Sequence, residues 1–138
     1  MPVKSNTRKK TMRTELRDLD TRIEFMEGLV RRDPDYVDAL QLLGDHYTRR
    51  GRYADGLKVD EHLAQLEPAN AFVFYNLACS YSLTDQFEQA VHALEQALML
   101  GYRDFNWLAK DPDLRKLRRQ PIYRELQAKI RRLKIRIG

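Results

Sequence analysis

The chain has little cysteine, glycine or proline. Cys79 is its single thiol among 138 residues, which excludes a disulfide framework and a zinc site made of several thiolates. Six glycines and five prolines are too few for collagen-like or low-complexity sequence. No apolar run approaches the roughly 18 residues that a membrane-spanning helix needs. Apolar residues still make up 43% of the chain, so the composition predicts a small, soluble, helical protein.

The charge is divided among three zones. Residues 1–14 carry five basic side chains, residues 15–113 carry 10 basic and 19 acidic ones, and residues 114–138 carry 10 basic ones and one acid. The zones therefore contribute +5, −9 and +9 to the formal net charge of +5. Basic ends of this kind suit contact with anionic surfaces such as nucleic acid. The alternative is that they fold back on the acidic middle or only keep the protein in solution.

A repeat of 34 residues organises the middle of the chain. Leu43 and Leu77, and Tyr47 and Tyr81, are among many pairs that match in size and polarity at this offset. Apolar residues follow helical spacing on both sides of a break in each copy, and Gly51 suits a C-terminal cap at the first break. Small residues recur where paired helices would cross closely: Gly44, Gly56, Ala78 and Ala90. The pattern predicts two helices in each of the repeats at about 37–70 and 71–104.

The motif in each copy resembles a tetratricopeptide repeat. The first copy reads Leu40-x-x-Leu43-Gly44-x-x-Tyr47, then Tyr53, Gly56 and Pro68, and the second reads Phe74-x-x-Leu77-Ala78-x-x-Tyr81, then Phe87, Ala90, Ala97 and Leu98. The segment from Gly101 to Leu114 resembles the tail that ends some bacterial arrays of such repeats. The resemblance implies an all-α fold, a short right-handed solenoid of antiparallel helix pairs with capping helices at both ends.

Two full repeats fall short of the roughly three that a stable solenoid needs, so the flanking segments must cap the ends. We predict a basic, flexible tail over residues 1–11, then a helical domain over 12–120 that opens with a long helix over 12–32. The end of that helix matches the second helix of a preceding repeat whose first helix is missing. Residues 121–138 are predicted to form a basic capping helix, with Pro121 in its first turn.

One residue departs from the repeat pattern. Asp60 stands where the family usually has a large apolar residue, and Leu94 holds the equivalent place in the second copy. A buried carboxylate without a partner costs several kcal/mol, on the order of 2–7 for a polar group. We therefore expect Asp60 to be partly solvated or to pair with an Arg, Lys or Tyr side chain.

No set of residues supports catalysis or metal binding. His46, His62 and His92 fall on different predicted helices at unrelated repeat positions, and the sequence contains neither an HExxH motif nor a glycine-rich phosphate loop. We interpret Cys79 as a small packing residue. The sequence therefore predicts a protein without enzyme activity, cofactor or metal.

The resemblance also implies a binding surface, because the first helix of each repeat lines the concave groove in this family. The groove positions in this chain are Asp38, Gln41, Asp45, Thr48, Phe72, Tyr75, Asn76, Cys79 and Ser82. We expect Phe72 and Tyr75 to be exposed and to hold a peptide or a helix among polar neighbours. The alternative is that residues 12–32 or the closing helix fill the groove.

Some members of the family grip a C-terminal carboxylate with Lys, Arg and Asn side chains. Asn76 and Lys110 match two of these positions. Gln41 and Asp45 do not match, and an aspartate there would repel a carboxylate. We therefore reject this kind of clamp.

Three functional hypotheses follow. The leading one is a non-enzymatic adaptor or scaffold that binds another protein in the cytoplasm, since the N-terminus lacks the apolar stretch of a signal peptide and a lone cysteine suits a reducing compartment. The second is an RNA- or other anion-binding accessory protein that uses the basic ends, where Tyr123 is the only aromatic residue. The third is a self-associating assembly factor, such as a homodimer that completes the short solenoid.

Overall fold

The computed structural model describes the backbone of residues 2–137 and the side chains of residues 7–136. Helices connected by short turns account for this range, and it contains no strand, so the predicted all-α class is confirmed. None of the described helices is both long and apolar enough to cross a bilayer. The elements are α1 (Pro2–Arg32), α2 (Val37–Arg50), α3 (Tyr53–Leu66), α4 (Ala71–Leu83), α5 (Phe87–Met99), α6 (Phe105–Lys110), a 3-10 turn (Pro112–Leu114), α7 (Arg115–Arg118) and α8 (Tyr123–Ile137).

Helix α1 begins ten residues before the predicted start at residue 12, so residues 2–11 are helical. The first residue of the predicted tail lies outside the described residues. The hydroxyls of Thr11 and Thr14 donate to the carbonyl oxygens of Thr7 and Lys10, one turn earlier, at 3.0 and 2.9 Å. The physical reason for the longer helix is that no proline or glycine interrupts the chain between Pro2 and Gly28.

The turn after α2 has the predicted glycine cap. Gly51 has a φ of 84°, and its amide donates to the carbonyl of Thr48 at 3.1 Å. A left-handed residue at this position is favoured when it is glycine, which has no Cβ. The turn after α4 uses Asp85, 34 residues later, with a φ of 60°. Aspartate tolerates this region better than most side chains, so the turn repeats with the helices.

Helix α4 begins at a side-chain cap. The Oδ1 of Asn70 accepts hydrogen bonds from the amides of Phe72 and Val73, at 3.0 and 3.4 Å. Such a cap satisfies two amides that have no partner within the helix. The cap fixes where α4 starts and therefore which of its residues face the core.

The chain divides by packing into two compact units, and the division falls within α3. The first ends at Val59 and the second begins at Asp60, whereas we predicted one helical domain over 12–120. In the first unit α1 packs on α2 around Ile23, Leu40 and Leu43. In the second, α4 packs on α5, on the 3-10 turn and on α7, and α8 packs on α5. The core of the second unit is formed by leucines that are almost fully buried: Leu94, Leu108, Leu114, Leu117 and Leu126.

The predicted close approach of helices is present at Gly56. A Cβ placed there would lie 3.3 Å from Oγ1 of Thr48 and 3.6 Å from Cβ of Tyr47. The first distance is shorter than ordinary van der Waals contact, so α2 and α3 approach as closely as they do because this residue has no side chain.

Candidate functional site

The nine predicted groove residues differ widely in exposure. Five are exposed, Thr48 is half-buried and three are buried. The exposed residues are Asp38, Gln41, Asp45, Phe72 and Asn76, and the buried ones are Tyr75, Cys79 and Ser82. The first four of the nine belong to the first compact unit and the other five to the second, so the two groups are described separately.

The residues on α2 form an exposed acidic strip, which we call the α2 face: Asp38, Gln41, Leu42 and Asp45. Spacings of three, four and seven residues place them on one side of the helix. Asp45 forms a 3.8 Å salt bridge with Arg49 one turn later, and both side chains are well exposed, so the pair contributes little stability. Thr48 donates to the carbonyl of Gly44 at 3.1 Å, so its hydroxyl is already used within the helix.

Sequence reasoning missed Leu42. Its side chain is 47% exposed, and it lies between Asp38 and Asp45 on the α2 face. The sequence did hold a signal for it: Leu42 lies outside the repeat motif, whose leucines Leu40 and Leu43 are buried in the core. An apolar side chain that is about half exposed is available for an external contact.

Tyr75 is buried, so the expectation that it is exposed was wrong. Its side chain is 5% exposed, and its ring stacks on Tyr102, with ring centroids 4.3 Å apart and planes 7° apart. Its hydroxyl donates to Oδ2 of Asp111 at 2.6 Å. Burial, followed by the nearby Cys79 and the bond to Asp111, raises the pKa of Tyr75. The physical reason is that Tyr102 and Asp111, which follow α5, contact Tyr75 on α4, and neither residue is part of the repeat motif.

Asp111 connects α4 to the turn that covers it. Its Oδ1 accepts from the amide of Asp113 at 3.0 Å, which caps the 3-10 turn. Arg118 donates to the backbone carbonyl of Asp111 at 2.8 Å. The Sγ of Cys79 lies 3.7 Å from Oδ2 of Asp111 as a weak donor. The carboxylate is therefore held by partners on both sides, from α4 and from its own turn.

Cys79 is a buried thiol rather than a nucleophile. Burial, and secondarily the charge of Asp111, raise the pKa of Cys79 well above its ordinary value, and the thiolate is the reactive form. Ligand atoms of Cys79, Asp111 and Asp113 lie within 4.8 Å of one another. A metal ion there would have to displace the hydrogen bonds from Tyr75 and the Asp113 amide, so we assign no metal to this cluster.

A segment other than the two that we considered packs on the predicted groove residues of α4. Tyr102 stacks on Tyr75, Asp111 contacts Tyr75 and Cys79, and the 3-10 turn and α7 pack on α4. The closing helix α8, which we had considered for this place, packs on α5 instead. Tyr102 lies at the end of the predicted second repeat, about 71–104, and Asp111 lies beyond it.

Two residues of α4 stay at the surface, and we call them the α4 surface: Phe72 and Asn76. Phe72 is 68% exposed, and its ring meets that of Tyr102 edge-on at 6.0 Å and 80°. Edge-to-face contacts of this kind are a favoured arrangement of two aromatic rings and contribute about 0.5–1.5 kcal/mol. Asn76 lies one turn further along the same side of the helix. An exposed aromatic ring can contact an apolar side chain of a partner, and the nearby amide can hydrogen-bond the backbone of that partner.

Asp60 is buried and bonded to Ser80, so our expectation for it was wrong in both respects. The side chain is 7% exposed, and its Oδ2 accepts from the Ser80 hydroxyl at 2.5 Å. Burial raises the pKa of Asp60 to about 6, although the bond from Ser80 opposes the rise. The serine hydroxyl of α4 supplies the polar partner that we had sought among Arg, Lys and Tyr.

Comparison with known proteins finds the same repeat. A tetratricopeptide repeat model matches residues 73–100. A chloroplastic protein from Arabidopsis thaliana is 33% identical over 96 residues, 67% of this chain and 27% of that protein. The peroxisomal targeting signal receptor of Komagataella phaffii is 34% identical over 91 residues, 64% of this chain and 16% of that protein. The chain thus spans about a quarter or less of the length of these relatives.

Solved structures agree on the fold. MamA from Desulfovibrio magneticus RS-1 aligns with a TM-score of 0.63 and 20% identity, over 88% of this chain and 69% of that one. A MamA double mutant aligns with a TM-score of 0.60 and 21% identity, over 72% and 61%. The predicted helical solenoid of antiparallel helix pairs is therefore confirmed. With a repeat matched at residues 73–100 and a first copy of the 34-residue pattern before it, at about 37–70, this chain is a tetratricopeptide repeat protein.

Proposed function

We propose that this protein is a non-enzymatic interaction module, an adaptor or scaffold that holds a peptide or helix of another protein against the α4 surface. The observation that carries the proposal is the exposed ring of Phe72, oriented by Tyr102 at 6.0 Å. Large aromatic side chains that are held in place are typical anchors of protein interfaces. Asn76, one turn away, supplies a donor and an acceptor for the backbone of the partner.

The relatives support a protein partner of this kind. The Komagataella phaffii protein is by name a receptor for a targeting signal, and this chain matches it over 91 residues. Repeats of this family stack helices into extended binding surfaces. The chemistry described for Cys79 and Asp111 offers no free nucleophile and no open acid–base pair, which supports a binding role without catalysis. We propose the cytoplasm as its compartment, because a lone cysteine such as Cys79 suits a reducing environment.

A second candidate function is contact of the basic ends with RNA or another anion. It has weaker support than a protein partner. Single-stranded RNA is usually held by aromatic rings that stack on its bases together with basic side chains. Tyr123, the aromatic residue of the basic segment 114–138, is buried and cannot stack on a base. Arg124 and Arg131 are exposed, so any binding of RNA would depend on charge alone and would weaken steeply as salt is raised.

The proposal is tested by affinity capture at two salt concentrations. Immobilised wild-type protein, the double variant Phe72→Ala/Asn76→Ala and the control Phe25→Ala are incubated with native lysate, and captured proteins are quantified by mass spectrometry. Phe25 is also well exposed, but it lies on α1. Tyr75 is left unchanged because its replacement would disturb the buried contacts with Tyr102 and Asp111.

We expect the wild type and Phe25→Ala to retain the same one or few proteins. The amount of these proteins that the double variant retains should be lower by about tenfold or more. Retention should persist at about 0.5 M salt, where contacts between exposed charges are screened. Circular dichroism should show equal helicity for all three proteins. If the same proteins are retained by all three, the α4 surface is not the binding site. Capture of RNA, released by nuclease and by salt, would favour the second candidate.

A further inference from the structure

A cleft of about 310 Å³ lies between α5 and α8 in the second compact unit. Its volume is at the lower end of the roughly 300–1,000 Å³ that is usual for ligand pockets. Leu98, Met99 and Leu133 supply its apolar lining, and the Met99 side chain is 80% exposed. The cleft has room for an apolar side chain of a partner that lies along the two helices.

The rim of the cleft is strongly basic. Lys129, Arg132 and Arg136 follow one side of α8 at spacings of three and four residues. Arg103 joins them from the segment after α5, where its guanidinium is held by the carbonyls of Leu98 and Tyr102, both at 2.8 Å. The α8 cations extend over seven residues, or about 10 Å of helix. A single carboxylate cannot span that distance, whereas acidic side chains spaced along a helix can.

One acid also lines the cleft. Glu95 forms a 3.4 Å salt bridge with Lys129, which leaves a net charge of +3 from the four cations and this acid. Within residues 7–136, Arg132 and Arg136 form no salt bridge. None of the side chains that line the cleft is aromatic, so it lacks the rings on which bases would stack. The chemistry therefore favours an acidic helix that carries one apolar side chain.

The chain itself carries such a helix face. On α2, Leu42 projects between Asp38 and Asp45, with Gln41 beside them. The charges of Asp38 and Asp45 lie seven residues apart, the same spacing as Lys129 and Arg136 on α8. Arg49 is the one cation on this side of α2, and Glu95 is the one acid of the cleft, so these two side chains can pair across the interface. Both of their present salt bridges, with Asp45 and Lys129, are at the surface and can be exchanged at little cost.

We propose that the α5–α8 cleft binds the α2 face of a second copy of this chain. Leu42 of one copy enters the cleft against Leu98, Met99 and Leu133 of the next, and Asp38 and Asp45 meet the α8 cations. The interface joins two different surfaces head to tail and is therefore heterologous, so a pair of copies keeps one free face and one free cleft to which further copies can bind. The proposal does not depend on the α4 surface, and Phe72→Ala/Asn76→Ala is expected to self-associate like the wild type.

Two variants with neutralised charges test the interface. Asp38→Asn/Asp45→Asn removes the two acidic charges of the face and keeps the cleft, while Arg132→Ala/Arg136→Ala removes two of the four cleft cations and keeps the face. The matched control is Arg124→Ala/Arg131→Ala, which removes two exposed cations from α8 that do not line the cleft. Sedimentation velocity of the full chain is measured from about 1 µM to 1 mM, at low and high salt, a range that spans weak to moderate affinities.

We expect the wild type and the control to form species that grow with concentration and dissociate at high salt. Each neutralised variant alone should associate at least about tenfold more weakly. Mixed in equal amounts, the two should form a 1:1 dimer and nothing larger, because one supplies an intact face and the other an intact cleft. This complementation requires that the α2 face of one copy binds the α5–α8 cleft of the other.

Other results overturn the proposal. A wild type that stays monomeric to the highest concentration has no such interface. If both variants associate as strongly as the wild type, self-association uses other surfaces. The same conclusion follows if the mixture of the two variants stays monomeric. Binding of a monomeric wild type to phosphatidylserine vesicles, lost in Arg132→Ala/Arg136→Ala and kept in the control, would assign the cleft to a membrane surface instead.

Discussion

The hydroxyl of Tyr47 donates a 2.6 Å hydrogen bond to Oε2 of Glu27, and Tyr81 bonds to Glu61 at 3.5 Å. Both members of the second pair lie 34 residues after those of the first. Glu27 is on α1 and Glu61 on α3, so the end of α1 contacts α2 as the end of α3 contacts α4. The equivalent positions of these two hydrogen bonds support the expectation that α1 supplies the second helix of an incomplete preceding repeat. That expectation stays a prediction.

The two bonds should differ in strength. Tyr47 is buried, and burial followed by the bond to Glu27 raises its pKa, whereas the bond of Tyr81 is longer and exposed. We expect Tyr47→Phe to lower the free energy of unfolding by about 1–2 kcal/mol and Tyr81→Phe by less than about 0.5 kcal/mol. Urea denaturation followed by far-ultraviolet circular dichroism measures both. Equal losses of unfolding free energy in the two variants would contradict the expected difference between the two hydrogen bonds.

Asp60 should make stability depend on pH. Because its pKa is about 6 in the folded chain against 3.8 as its ordinary value, the folded state binds the proton more tightly than the unfolded state. The resulting stabilisation is complete below about pH 4 and is lost as the pH rises through about 6. Asp60→Asn removes this titration. Relative to the wild type, its free energy of unfolding should rise by up to about 3 kcal/mol from about pH 4 to pH 7.

Urea titrations at intervals across this pH range give the difference directly. Asp18→Asn is the control, since Asp18 is exposed, and its difference from the wild type should stay within about 0.5 kcal/mol at every pH. A difference between Asp60→Asn and the wild type that does not change with pH would show that Asp60 is not protonated on folding.

Cys79 should be unreactive until the chain unfolds. Its thiol is buried, and its pKa is well above the ordinary value, so little thiolate is present at about pH 8. We expect its reaction with Ellman's reagent to be at least about 100-fold slower in the folded protein than in concentrated urea. Asn76→Cys in a Cys79→Ala background places a thiol at an exposed position of the same helix and should react rapidly without urea. Fast reaction of the wild type would mean that the cover over α4 opens readily.

Two helical glycines should respond differently to a methyl group. A Cβ at Gly28 would meet only Arg31, at 3.8 Å, so Gly28→Ala should stabilise the protein by about 0.5–1 kcal/mol. At Gly56 the same group would press on Thr48 at 3.3 Å, and Thr48 is held by its bond to Gly44. Gly56→Ala should therefore gain nothing, and Gly56→Leu should lose at least about 2 kcal/mol. Thermal and urea unfolding measure both, and a stabilising Gly56→Ala would contradict the close approach.

The helices were predictable because their signals are local. Apolar spacing, the glycine at 51 and the small residues at 44 and 56 each depend on neighbours within one or two turns, and the structure places helices and a cap where they indicate. The start of α1 was not predicted, since the basic side chains of residues 1–14 suggested a tail while nothing in that stretch prevents a helix. For residues 2–11, charge composition therefore predicted the local structure less well than the absence of helix-breaking residues does.

Periodicity alone was enough to establish what kind of elements this chain forms, because a helix needs only the right residue every three or four positions. It could not establish which groove residues stay at the surface. The stacking of Tyr75 on Tyr102 and its bond to Asp111 join residues 27 and 36 positions apart, and no repeat links them. Those contacts, like the bond of Asp60 to Ser80, depend on how packed helices meet in space, and so only the tertiary structure decided that α4 presents Phe72 and Asn76.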